Sequence, residues 1–411
     1  MKICNKSYDI TPVHEFYLIG YGSRFESRRF PAKGVHDSIF MNVLVMECDH
    51  QYFYLCNIDF IELEVSFCED VKKRLYETYQ LKKDHVLLSV THNHQSVRDY
   101  HTTWETGVYH QQYDEYIRNL ILDAYSECFT QLEEVEVYWG KSLVEGFYGN
   151  RNHPGRLADN EVIQIEFRKN GICIAGIINW AVHSTFLSPE NAYLTSELAG
   201  YVRRHIAKQT GYMPLMIVGA AGDCSTRHFS KQQTFDELET FSEALANQIL
   251  QIPVNQLIMP TFHYAKTITY PVVYSMNDYR DELEEELVLC EQLMGIQGAK
   301  IHGISPAFYK KCIVKKLEIE QVDITLFSTI LDLGELKIIT IPGELGSVFG
   351  LQLKQLYSDV CTIISGYTNG FLHYMMPKEE YGLSMETIDS LYPKGSIEEY
   401  INYIQTVLKP I

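Results

Sequence analysis

The stretch His85-Val-Leu-Leu-Ser-Val-Thr-His92-Asn-His94-Gln-Ser96 reads as a short buried strand that ends in two histidines one residue apart. Side chains two apart on an extended chain share a face, so His92 and His94 can approach one centre. Polar residues closing a strand give the same pattern, and the neighbouring sequence has to weigh the two readings. Outward from this run, alternation and β-branched content predict strands near 39–47, 51–58, 85–90, 134–139, 162–167, 172–181, 215–218, 261–270, 321–333, 336–341 and 362–364. Apolar spacing of three and four predicts amphipathic helices near 65–79, 111–131, 195–209, 235–250, 279–294, 345–357 and 397–408. The mixture predicts an α/β fold with layered sheets flanked by helices. No internal repeat, low-complexity tract or Ser/Gly/Pro-rich linker divides the chain, so residues 1–411 are expected to form a single domain.

The 411 residues carry 35 Lys+Arg against 53 Asp+Glu, a net charge of −18, which opposes binding to nucleic acids or anionic membranes. The most apolar stretch, 173–187, is interrupted by Asn179 and His183 and falls short of the roughly 20 residues a membrane span requires, so no transmembrane segment is expected. Met1-Lys-Ile-Cys-Asn-Lys shows no apolar secretory core, which predicts a cytoplasmic protein. The ten cysteines stand singly, with no C-x-x-C pair, and are expected to be reduced and to serve packing. The acidic run Asp281-Glu-Leu-Glu-Glu-Glu-Leu reads as the solvated face of a helix.

Signatures of nucleotide phosphate binding, of G-x-S-x-G hydrolases and of H-E-x-x-H metalloproteases are absent. Four other segments carry polar chemistry at strand ends. His183 follows the apolar 172–182 run, and Leu194-Thr-Ser-Glu-Leu-Ala-Gly200 then opens a helix with a capping signature. Gly222-Asp-Cys-Ser225-Thr-Arg227 follows a buried strand; it reads either as a turn whose Asp and Ser cap local amides or as a serine facing a reaction centre. Ile341-Pro-Gly-Glu344 places a carboxylate at an expected helix start, suited to the macrodipole or to a metal. Ile364-Ser-Gly-Tyr-Thr-Asn-Gly370 leads to His373-Tyr374 and then to Glu379-Glu-Tyr381.

Taken together and in this order, from about residue 8 to 390, these segments resemble the catalytic domain of the neutral ceramidase family, zinc-dependent amidohydrolases. Asp9-Ile-Thr-Pro and Gly34-Val-His-Asp37 are similar to further landmarks of that family. The resemblance implies a zinc site of His92, His183, Glu344 and Tyr374, with His94 as the acid/base. Asn150-Arg151 matches the element whose arginine faces the substrate carbonyl or carboxylate, and Ser225 matches the serine beside the metal. Ser225 is left with two roles, nucleophile or positioner of water. Gln95-Ser96-Val97 departs from the family's S-G-P, and Met385 stands where a tyrosine follows the E-E-Y run. No immunoglobulin-like domain is expected after the last landmark.

Two imidazoles, a carboxylate and a phenol oxygen around Zn²⁺ leave room for water and an amide oxygen. The implied activity is hydrolysis of a C–N amide bond in an N-acyl or related small molecule, not necessarily ceramide. Alternatives are amide formation or cyclisation on the same site, a zinc esterase or lactonase, and a non-catalytic binding relic. Oligomeric state is not legible.

Overall fold

The computed structural model describes residues 1–21, 26–97, 109–301 and 305–408. Three sheets organise it. The first orders strands Val86–Val90, Gln51–Ile58, Phe40–Cys48, Lys2–Asp9 and Glu133–Glu134; the second orders Leu215–Val218, Ile172–Trp180, Glu161–Lys169, Glu136–Leu143 and Gln256–Ile258. The third orders Tyr264–Ser275, Gln321–Asp332, Leu336–Thr340 and Cys361–Ser365. Each sheet is antiparallel except for one parallel pair at an edge: Gln51–Ile58 with Val86–Val90, Ile172–Trp180 with Leu215–Val218, and Leu336–Thr340 with Cys361–Ser365.

Strand alternation sorts side chains into a shared inner core and outer helix-covered cores. Leu55 and Leu87 of the first sheet, Ile177 and Ile217 of the second, and Ile338 and Ile363 of the third meet in one cluster between the sheets. The opposite face of the first sheet, with Cys56 and Leu88, packs under helices Val65–Tyr79 and Gln111–Phe129; that of the second, with Ile178 and Met216, packs under Glu197–Thr210 and Phe235–Ile249. Ile339 and Ile364 of the third pack under Ser347–Gln355 and Ser396–Leu408. Each aliphatic side chain withdrawn from water in these layers contributes about 1.5–3 kcal/mol before chain entropy is counted. The result is the expected mixed α/β architecture of sheets flanked by helices.

The edge strands are stitched together by polar groups. Asn179 Nδ2 donates to Ile217 O and across to Ile364 O, Gly366 N donates to Val218 O, and Asn369 exchanges hydrogen bonds with the Leu88 backbone through both its own amide and its side-chain oxygen. These bonds set the carboxyl ends of the parallel pairs beside one another.

Among the longer elements, two go beyond the sequence reading. Lys2–Asp9 pairs along its whole length with Phe40–Cys48, and Pro306–Leu317 is a helix whose first turn is capped by the Ser305 hydroxyl accepting from Phe308 N. Two local expectations are corrected. At the capping signature of 194–200 the helix is Glu197–Thr210 rather than 195–209; the Thr195 hydroxyl accepts from Glu197 N, while the Ser196 hydroxyl donates to Asp37 Oδ1 at 2.5 Å and caps no amide. Glu344 does not sit at a helix start: it forms a two-residue parallel bridge with Tyr374, and the helix begins at Ser347. The acidic run lies on helix Arg280–Leu293, whose one buried residue is Cys290, and all ten cysteines are free. No helix among the described residues is long and apolar enough to cross a membrane.

Candidate metal centre

Each sheet delivers part of the centre from the carboxyl end of its parallel pair, the end at which open α/β sheets gather ligands. From the first sheet, Val86–Val90 runs into Thr91 and His92. His92 has a φ of +53°, a left-handed conformation that few side chains adopt and that reverses the chain at once after the strand. Behind it, the Thr91 hydroxyl donates to Asp59, which is locked to Arg203 by two guanidinium hydrogen bonds, both residues fully buried. His92 Nδ1 lies 2.7 Å from Ile61 O, and its ring stacks on Tyr367 at 4.2 Å.

From the second sheet, His183 follows Ile172–Trp180, with Nδ1 2.7 Å from Ala221 O and 3.2 Å from Cys224 O. A carbonyl only accepts, so Nδ1 carries the proton in both rings and each Nε2 presents its lone pair to the interior. From the third sheet, the bridge between Glu344 and Tyr374 puts their side chains opposite each other. Glu344 Oε2 lies 2.8 Å from His183 Nε2 and 3.6 Å from His92 Nε2, and accepts from the Tyr367 hydroxyl at 3.4 Å.

Burial drives the electrostatics. It pushes the His92 imidazole down to about 3 and His183 and His94 well below the usual range, so all three are neutral. Burial pushes the Glu344 carboxyl up to about 7, against the opposing pull of His92 and Arg151. A lone pair and a carboxylate oxygen 2.8 Å apart repel unless a proton or a cation lies between them, and His183 Nε2 makes no hydrogen bond. The orphaned Nε2 of His183 and the inward Nε2 of His92, each ring oriented by a carbonyl behind it, beside a buried carboxylate are a donor set of the kind zinc takes. The residues therefore fit the metal.

His94 Nε2 lies 3.0 Å from His92 Nε2, while its Nδ1 has no hydrogen-bond partner. Its ring rests 4.9 Å from that of Tyr21, and its carbonyl accepts from Arg28. Ligand atoms of His92, His94 and His183 all lie within 4.8 Å of one another, so His94 stands at the centre rather than beside it.

Arg151 closes another side. The two-residue strand Gly149–Asn150 pairs with Cys224–Ser225 and leads into it. Arg151 Nη2 donates to the Tyr374 hydroxyl at 3.1 Å and Nε to Glu386 at 2.6 Å, and Asn152 donates to the other Glu386 oxygen. Burial works against the guanidinium, but Glu386 holds it charged. Asp223 accepts from the amide and hydroxyl of Ser347 and from Asn150, while the Ser225 hydroxyl accepts from Arg227 N. Ser225 thus caps a local amide, whereas Asp223 reaches out of the turn to Ser347 and Asn150. Gly222 is required there: a Cβ would lie 2.7 Å from Glu344 O.

The structure gathers His92, His94, His183, Glu344, Tyr374 and Arg151, and seats Ser225 next to the residue whose carbonyl orients His183. Sequence reasoning missed Tyr367 and Glu386. Tyr367 lies inside the glycine-punctuated 364–370 run, which was the available signal; nothing local distinguishes Glu386 from an ordinary surface acid.

No protein-family profile and no curated protein sequence matches the chain. Solved structures do. A ceramidase complexed with C2 and the neutral ceramidase from Pseudomonas aeruginosa each superpose with a TM-score of 0.75 at 16% identity, over 98% of this chain and 73% of theirs. The chain has the fold of a neutral ceramidase catalytic domain.

Proposed function

We propose that the protein is a zinc-dependent hydrolase that cleaves the C–N amide bond of an N-acyl or related small molecule. The observation that supports it best is the convergence of the His92 and His183 Nε2 lone pairs on the Glu344 carboxylate, in the fold shared with ceramidases. Zinc held by His92, His183 and Glu344, with Tyr374 as a further ligand, supplies a Lewis acid that polarises the carbonyl and lowers the pKa of water. His94, neutral and half-buried, takes a proton from the attacking water and returns it to the leaving amine. Arg151, aimed by Glu386 onto the Tyr374 hydroxyl, steadies the negative charge that develops on the carbonyl oxygen. Ser225 positions the water or attacks the carbonyl itself; a Ser225→Ala variant that retains most of its turnover excludes the second role.

The test is turnover of an N-acyl amide and an ester with the same acyl group, with and without chelator. Chelator-sensitive cleavage of the amide supports the proposal. Cleavage of the ester alone assigns an esterase, and cleavage that survives complete metal removal refutes the zinc chemistry.

A further inference from the structure

Beside this centre lies a cation that the proposed chemistry does not use. Arg227 comes two residues after Ser225 and folds back onto the Arg151 segment, its Nη1 3.4 Å from Arg151 O; the neighbouring His228 donates through Nε2 to the same carbonyl at 3.1 Å. Both side chains are exposed. The charge of Arg227 interacts with Tyr21, Tyr374, Arg151 and Glu386, residues that contact His94 or line the metal centre. It therefore stands beside the site, on its exposed side.

The charges around it are otherwise satisfied. Arg151 is buried and committed to Glu386 and to the Tyr374 hydroxyl at the reacting centre, so it does not serve an anion further out. His153 and Arg156 share Glu380. Among the described residues no carboxylate bonds Arg227, in a chain whose net charge of −18 supplies carboxylates in excess. An exposed, unclaimed fork of N–H donors next to an aromatic and histidine-lined centre is suited to bidentate capture of an oxyanion.

We propose that Arg227 reads an oxyanion, carboxylate or phosphate, carried by the substrate outside the bond that is cleaved. Arg227 is a specificity residue in this account, and the inference rests on the amidase reading above. It makes the substrate an acidic N-acyl compound rather than a neutral one.

Three probes of equal acyl length test it: N-octanoylethanolamine, N-octanoylglycine and N-octanoylphosphoethanolamine. The wild-type enzyme is expected to favour at least one anionic probe over the neutral one in kcat/KM by roughly ten-fold or more, the scale of a charge-assisted pair. Arg227→Met abolishes that preference, Arg227→Lys restores part of it, and rising salt erodes it in the wild type alone. The carboxylate and phosphate arms tell which oxyanion is read. Equal values for all three probes in the wild type, or a loss in Arg227→Met that falls on the neutral probe as heavily as on the anionic ones, overturns the proposal. If no probe is turned over, the same three are compared by equilibrium binding. A charge preference there that depends on Arg227 keeps this site while removing the amidase reading, and binding without charge preference removes it.

Discussion

Removing two donors from the centre, in a His92→Ala/Glu344→Ala variant, is expected to abolish metal binding and with it a measurable share of thermal stability. The size follows from chain length. Unfolding entropy near 2.1 cal/mol/K per residue gives about 0.9 kcal/mol/K for 411 residues. Free zinc at about a thousand times its dissociation constant stabilises the folded state by about 4 kcal/mol. Division gives an upward shift in Tm of about 5 °C. The wild type is therefore expected to hold near-stoichiometric zinc by elemental analysis and to lose about 5 °C on chelation, while the variant holds none and its Tm does not respond to zinc or chelator. The other term in the variant works in the opposite sense, because it removes the apposition of Glu344 and His183 at 2.8 Å, so the variant is expected to melt no lower than the chelated wild type. Well-folded wild-type protein that takes up no zinc when it is supplied, or whose Tm ignores a chelator that strips the metal, refutes the reasoning.

Three further outcomes follow from groups around the centre. Burial raises the Glu197 carboxyl to about 7 although Leu187 N and Leu198 N donate to it; the folded state holds a proton there that the unfolded chain has released, so stability falls as pH rises from about 4.5 through 7, by about 3 kcal/mol in all. Urea titrations should show the wild type losing ground to Glu197→Gln over that window, and a pH-independent difference contradicts it. Gly222→Ala drives a Cβ into Glu344 O and Leu345 O, both backbone; the expected result is loss of bound zinc with secondary structure retained by circular dichroism, and normal zinc content counts against the placement. Arg203→Met leaves Asp59 buried without its partner beneath the His92 strand end, at an expected cost of about 3–5 kcal/mol; denaturant midpoints shifted by less than a third of that would show the pair to be dispensable.

How much of this was legible in the sequence depends on the range of each determinant. Helix Val65–Tyr79 and strands Gln51–Ile58 and Leu215–Val218 coincide with their expected limits, because apolar periodicity is written within the element itself. Lys2–Asp9 was missed because its sequence, KICNKSYD, is mostly polar and owes its conformation to pairing with Phe40–Cys48. Helix Pro306–Leu317 was missed because its four lysines mask a weak apolar stripe, although Ser305-Pro306 is a start signal. Within the capping signature of 194–200 there is no local sign that Asp37 takes the Ser196 hydroxyl. At the centre, the motifs marked His92, His183, Glu344 and Tyr374 one by one. Their junction rests on contacts between sheets, such as Asn179 to Ile364 O, which no local pattern encodes. Glu386 was invisible for the same reason: its meaning comes from Arg151, far away in the chain.

The three parallel pairs have a consequence for assembly. Because His92, His183 and Glu344 come from three different sheets, a folding intermediate that lacks any one layer has at most two of the donors in place. On the proposed zinc site, acquisition of metal would then be the last event of folding rather than its seed, and the protein would be loaded only after its architecture is complete. Affinity for the proposed ion would become a gauge of how well the layers are seated: a cavity cut into the inner core at Leu55 or Ile217, more than 30 residues from any of these donors in sequence, is expected to weaken metal retention before it unfolds the chain.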